Sequence, residues 1–156
     1  MKVLRILALF VVSLMAVQAF AQESLESTIE LIRSDLKTGK KAVIEKVMNF
    51  TEKEATEFWP FYREYNLELS KIGDKRIAIL KDYAASYEKI DDKKAEDLVK
   101  KSFGVMDDRV DLMEKYYKKA AKFLGLKRAA QWIQAENQLL TLIDAKLVSE
   151  TPLLPK

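Results

Sequence analysis

From Phe58 onward, Tyr62, Tyr65, Leu69 and Ile72 recur at alternating four- and three-residue steps. Past Gly73 the stripe continues through Ile79 or Leu80, Tyr83 and Tyr87. An apolar period sustained near 3.5 belongs to a helix packed along its length against another helix. Its start is marked by Thr51 and, three residues on, Glu54, a capping box in which each side chain satisfies the other's free amide. The pattern predicts a helix from Glu52 to about Glu88, roughly 55 Å long at ~1.5 Å per residue.

Four glycines and three prolines in 156 residues leave too few tight turns for a sheet protein. The expected fold class is therefore all-α: an elongated bundle of long antiparallel helices, helical-hairpin in architecture, with about four helical segments. The first is expected from Glu26 to Val47, with Ile29, Ile32, Leu36, Val43 and Val47 on one face and a break or bend at Thr38-Gly39. The third is expected from Asp92 to about Phe123 and the fourth from Leu126 to about Val148. Pro152 and Pro155 keep the tail 149–156 extended. Residues 22–148 then form a single helical domain.

Two features point beyond packing. The second helix gathers Phe58, Trp59, Phe61, Tyr62 and Tyr65 around Pro60. Phe58, Tyr62 and Tyr65 share the core face, Phe61 sits at its edge, and Trp59 points about 100° from Phe58. Pro60 gives no amide to the carbonyl of Thr56 and its ring crowds that turn, so a bend without termination is expected. Such a bent aromatic helix suits either a binding surface or a helix wrapping its own core. The third helix carries two adjoining stripes: Val99, Phe103, Met106, Val110, Met113, Tyr117 and Leu124, then Leu98, Val105, Leu112, Tyr116 and Phe123. Together they are wider than the ~100° face that one partner needs. The helix either lies between two others of its chain or uses the second stripe against another subunit or a client. Trp59, Phe61, Leu98, Val105, Leu112, Tyr116 and Phe123 are the candidate client- or partner-binding residues.

Arg76 interrupts the second helix's stripe, Glu136 the fourth's, and Arg109 sits between the two stripes of the third. Buried charges must pair or reach water. The expected solution is a structural polar layer in which Glu136 pairs with Arg76 or Arg109.

The N-terminus reads as an export signal. Met1 to Arg5 is short and basic, Ile6 to Val17 is apolar apart from Ser13, and Ala19-Phe20-Ala21 supplies the small-x-small cleavage pattern. The apolar run is short of the ~20 residues a spanning helix needs. Residues 1–21 are therefore expected to be removed after Ala21, leaving no other membrane contact and a periplasmic protein. Losing Lys2 and Arg5 lowers the net charge from +3 to +1, too little to argue for nucleic acid.

The chain has no cysteine and no histidine. That excludes thiolate and Ser-His-Asp catalysis and the usual zinc and copper sites. No EF-hand spacing or phosphate-binding loop is present. No cofactor, metal or enzymatic activity is expected.

This layout resembles the Spy/CpxP-like periplasmic proteins, whose members carry two LTxxQ motifs at helix starts. Asn49-Phe50-Thr51-Glu52-Lys53-Glu54 occupies the first motif's place, keeping an apolar residue followed by threonine. Leu124-Gly125-Leu126-Lys127-Arg128 occupies the second, keeping the leucine; neither glutamine is present. The resemblance implies a curved helical homodimer acting on unfolded or envelope proteins as an ATP-independent chaperone or envelope-stress accessory. Relatives that bind metal do so through histidines, which this chain lacks. Two alternatives stand beside it: an adaptor docking one fixed envelope partner, and a small-ligand carrier with an aromatic-lined pocket.

Overall fold

The computed structural model describes residues 39–149 and 151–153. The expected signal segment 1–21, together with Ile29, Ile32 and Leu36, lies outside the described residues. The chain divides after Lys37 into two units, and the described residues belong to the second. That unit is all-α. Helix α1 comprises residues 39–48, α2 Glu52–Ser86, α3 Asp92–Leu124 and α4 Leu126–Ser149, with no strand among the described residues. A short 3-10 turn, Tyr87–Lys89, joins α2 to α3.

The boundaries follow from local chemistry. Thr51 and Glu54 form the expected capping box, the Thr51 amide donating to Glu54 Oε2 at 2.9 Å and the Glu54 amide to Thr51 Oγ1 at 3.3 Å. Asp91 caps α3 by accepting from the Lys94 amide at 2.8 Å. Gly125 adopts φ +81°, a left-handed conformation that costs glycine little, and ends α3 with its amide on Ala121 O. Asn49, just past the end of α1, also has a positive φ, 42°, which asparagine tolerates better than most residues. Helix α2 runs unbroken through Pro60, which is exposed, as the stripe in register through Ile72 requires.

Paired residues fix the directions. Glu68–Lys115, Lys75–Asp108 and Asp82–Lys101 descend along α3 as they climb α2, so these helices are antiparallel. Glu54–Arg128, Tyr62–Glu136 and Arg76–Asp144 climb together, so α4 runs parallel to α2. Helix α1 runs back along both: Lys40 reaches Asn66, while the Met48 carbonyl accepts from Arg128. The two helix starts compared with LTxxQ motifs thus meet through Glu54 and Arg128, 2.7 Å apart.

The core is aromatic. Phe58, Tyr65, Tyr116 and Trp132 are fully buried, with Ile44 and Met48 closing it from α1. This corrects the expected face of the first helix, because Val43 and Val47 are exposed while Lys40, Ile44 and Met48 point inward. Its orientation is set by what α2 and α4 offer it, including a carboxylate for Lys40.

Candidate functional site

The aromatic residues singled out around Pro60 are mostly spent on the fold. Phe61 packs with ring centroids 5.3 Å from Tyr116, 5.3 Å from Phe123 and 5.2 Å from Trp132. Trp59 lies edge-on to Phe50, Phe58 and Tyr62, and Lys41 Nζ sits 4.9 Å above its ring. Both are half-buried against the core.

On α3 the two stripes exchange the roles expected of them. Leu98, Leu112 and Tyr116 are buried, and Val105 and Phe123 are half-buried, because this stripe faces the rest of the bundle. Tyr116 also donates to Glu68 on α2 at 2.8 Å. Four of these five pack into the bundle, and Val105 lines the groove between α2 and α3. The other stripe is the open one: Val99 is 47% exposed, Phe103 60%, Met106 56% and Val110 63%. Further along, Met113 and Tyr117 are half-buried and Leu124 is buried. One stripe therefore enters the core at its C-terminal end and leaves it at its N-terminal end.

The single polar layer resolves into two. Arg76 and Arg109 both bond Asp144, the latter at 2.7 Å, and all three are about one-quarter exposed. Asp144 lies eight residues beyond Glu136, on the same side of α4, and meets the arginines where the bundle still admits water. Glu136 itself pairs with Lys40 and accepts from Tyr62 Oη at 3.2 Å. Lys40 donates to Asn66 Oδ1 at 2.9 Å and lies over the rings of Tyr62 and Tyr65. Burial drives the Lys40 pKa below its usual value, against the pull of Glu136. Burial, reinforced by the Glu136 charge, pushes the Tyr62 and Tyr65 phenols well above theirs. The cluster is enclosed by side chains and locks α1 to α2 and α4.

Elsewhere the charges hold helices together. A shallow groove between α2 and α3, about 470 Å³, is lined by Ile79, Gly104 and Val105. Lys75–Asp108 spans it at 2.6 Å, and Lys101 approaches Asp82 at 3.7 Å. No group of His, Cys, Asp or Glu among the described residues could hold a metal ion. Nor is any described helix long and apolar enough to cross a membrane. Comparison with family models, with curated proteins and with solved structures finds no match for the chain.

Proposed function

We propose that this is an exported, non-enzymatic protein that binds other polypeptides on the open face of α3. It would act as an ATP-independent chaperone or envelope-stress accessory in the periplasm. The observation that carries this reading is the run Val99, Phe103, Met106 and Val110, four large apolar side chains about half or more exposed over three turns. Contiguous apolar surface on a soluble helix marks a place where another molecule binds. Export is supported by the basic, apolar and small-residue segments before Gln22. A catalytic role would need a nucleophile–base or metal constellation, and a chain without cysteine or histidine is poorly equipped for one.

The alternative, an adaptor for one fixed partner, is favoured by the regular spacing of the same face. Steps of four, three and four fit one helix better than assorted unfolded segments. The carrier reading has less support: the space between α2 and α4 is filled by Phe58, Tyr62, Tyr65 and Trp132 against one another.

Light scattering of an aggregating model substrate tests the proposal. Wild-type protein should slow aggregation at equimolar ratio or below, without nucleotide. Phe103→Ser/Val110→Ser should lose most of that effect while keeping full helicity. Equal suppression by wild type and variant would reject the α3 face as the binding surface. No suppression by either would leave the adaptor as the leading function.

A further inference from the structure

The outer surface of α3 is laced with acid–base pairs one turn apart: Glu96–Lys100 and Asp97–Lys101, each at 2.6 Å, and Glu114–Lys118. In each the acid precedes the base by four residues, the order that supports a helix. Asp107 and Asp111 break this pattern. They carry like charges one turn apart, which works against a helix, and both are exposed. Neither has an ion pair or hydrogen bond among the described residues. The base four residues beyond Asp111 is Lys115, and it is drawn across to Glu68 on α2. Arg109, between the two acids, is held by Asp144, and Lys118 by Glu114.

The two acids edge the open face. At about 100° per residue, Asp107 stands roughly 60° round the helix from Val110, and Asp111 follows one turn on along the same side. The opposite edge offers Ala95, Ser102 and Met113, with Arg109 already committed to Asp144. Val99, Phe103, Met106 and Val110 thus form an apolar strip ~16 Å long, bordered on one side by two uncompensated negative charges. The whole chain carries +3, or +1 without residues 1–21, so this border is opposite in sign to the molecule's net charge. A rule of local helix stability is broken where the helix also leaves its apolar residues uncovered. Such conflicts are expected where a surface serves binding rather than the fold.

We propose that the open face of α3 selects basic amphipathic segments of other polypeptides, helical when bound. Their apolar residues would lie on Val99, Phe103, Met106 and Val110, and their lysines or arginines against Asp107 and Asp111. The inference rests on the reading of that face as a docking surface and names the class of segment it takes. An acidic segment would be repelled by the same two carboxylates, and an uncharged one would leave them unpaired, so the border discriminates by sign. Charges at a rim steer encounter and set orientation more than they add affinity, and salt screens them. The apolar strip supplies the binding and the acids supply the choice.

Fluorescence anisotropy with two labelled synthetic helical peptides tests this. Both would carry the same leucine seam at alternating three- and four-residue steps, one flanked by lysines and the other by glutamates. The basic peptide should bind the full chain more tightly, on the order of tenfold, about what two exposed ion pairs supply. The difference should shrink between ~0.1 M and ~1 M salt. Asp107→Asn/Asp111→Asn should erase the preference and Asp107→Lys/Asp111→Lys should reverse it, with circular dichroism showing helicity intact. Phe103→Ser should weaken both peptides. Equal affinities, tighter binding of the acidic peptide, or a preference indifferent to the aspartate variants would each overturn the proposal. If the two peptides bind equally and Phe103→Ser weakens both, charge selection fails and the docking reading stands. If the basic peptide binds but ignores Phe103→Ser, it is adsorbed by charge alone and both readings of the face fail. Binding of neither peptide also overturns the proposal, and a dimer dissociated by Phe103→Ser would then make a second copy the occupant.

Discussion

Lys40 and Glu136 form an ion pair inside the bundle, with side chains 7% and 0% exposed. It is the contact by which α1, a helix of ten described residues, is committed to the groove between α2 and α4. Desolvating two charges costs several kcal/mol, which their attraction and hydrogen bonds offset. Breaking the pair is therefore far worse than never having it. Lys40→Ala or Glu136→Ala should each cost roughly 3–5 kcal/mol. The double variant Lys40→Met/Glu136→Leu should recover most of that loss. Urea denaturation of the four proteins checks it, and additive losses would mean that the pair contributes no coupling.

The second layer is distinct from the first. Asp144 holds both Arg76 and Arg109, so Asp144→Asn should cost about 1.5–3 kcal/mol, the range for hydrogen bonds to charged groups. Double-mutant cycles should give coupling between Asp144 and each arginine. Glu136 and Arg76 share no partner, so their effects should add within about 0.5 kcal/mol.

Tyrosine ionisation should report the core. Folded Tyr62, Tyr65 and Tyr116 hold their protons above the ordinary value of 10.0, chiefly because burial disfavours the phenolate. Above pH 10 the unfolded chain loses these protons and the folded chain keeps them. Stability supplied by these groups is thus intact below pH 10 and falls as pH rises beyond it. Lys40 acts in the opposite sense below 10.5, because the unfolded chain there binds the proton more tightly than the folded one. Absorbance at 295 nm against pH should show these three of the six tyrosines ionising only together with loss of helicity. Smooth titration of all six before unfolding would contradict the packing described.

Pro60 is exposed inside α2 and leaves the Thr56 carbonyl without its helical donor. Pro60→Ala should raise stability, by up to ~3 kcal/mol on intrinsic helix preference. Thermal melts decide it, and a destabilised variant would mean that the packing of Phe58, Trp59 and Phe61 depends on the proline.

Helix existence and ends were legible because they are local. The Thr51–Glu54 box, Asp91 and Gly125 each act within four residues, and the stripe of α2 announces its partner by its period. What each face meets is not local. The two stripes of α3 look alike in sequence, and only the positions of α2 and α4 decide that Leu112 is buried while Val110 is exposed. Partner choice among charges was hidden for the same reason. Arg76, Arg109 and Glu136 were visible as charges on apolar stripes. Asp144 and Lys40 interrupt none of the stripes named, and only the register of α4 on α2 and α1 gives them partners. The eight-residue interval from Glu136 to Asp144 was the available signal for a second layer.

Site-specific photocross-linking tests the central claim, that α3 binds other polypeptides on its open face, most directly. A photoreactive phenylalanine analogue would replace Phe103 in one protein and Leu67, exposed on α2, in another. Each would be illuminated with an excess of a permanently unfolded model protein. Position 103 should cross-link to the unfolded chain and position 67 should not. Equal yields at the two positions, or none at 103, would contradict the account.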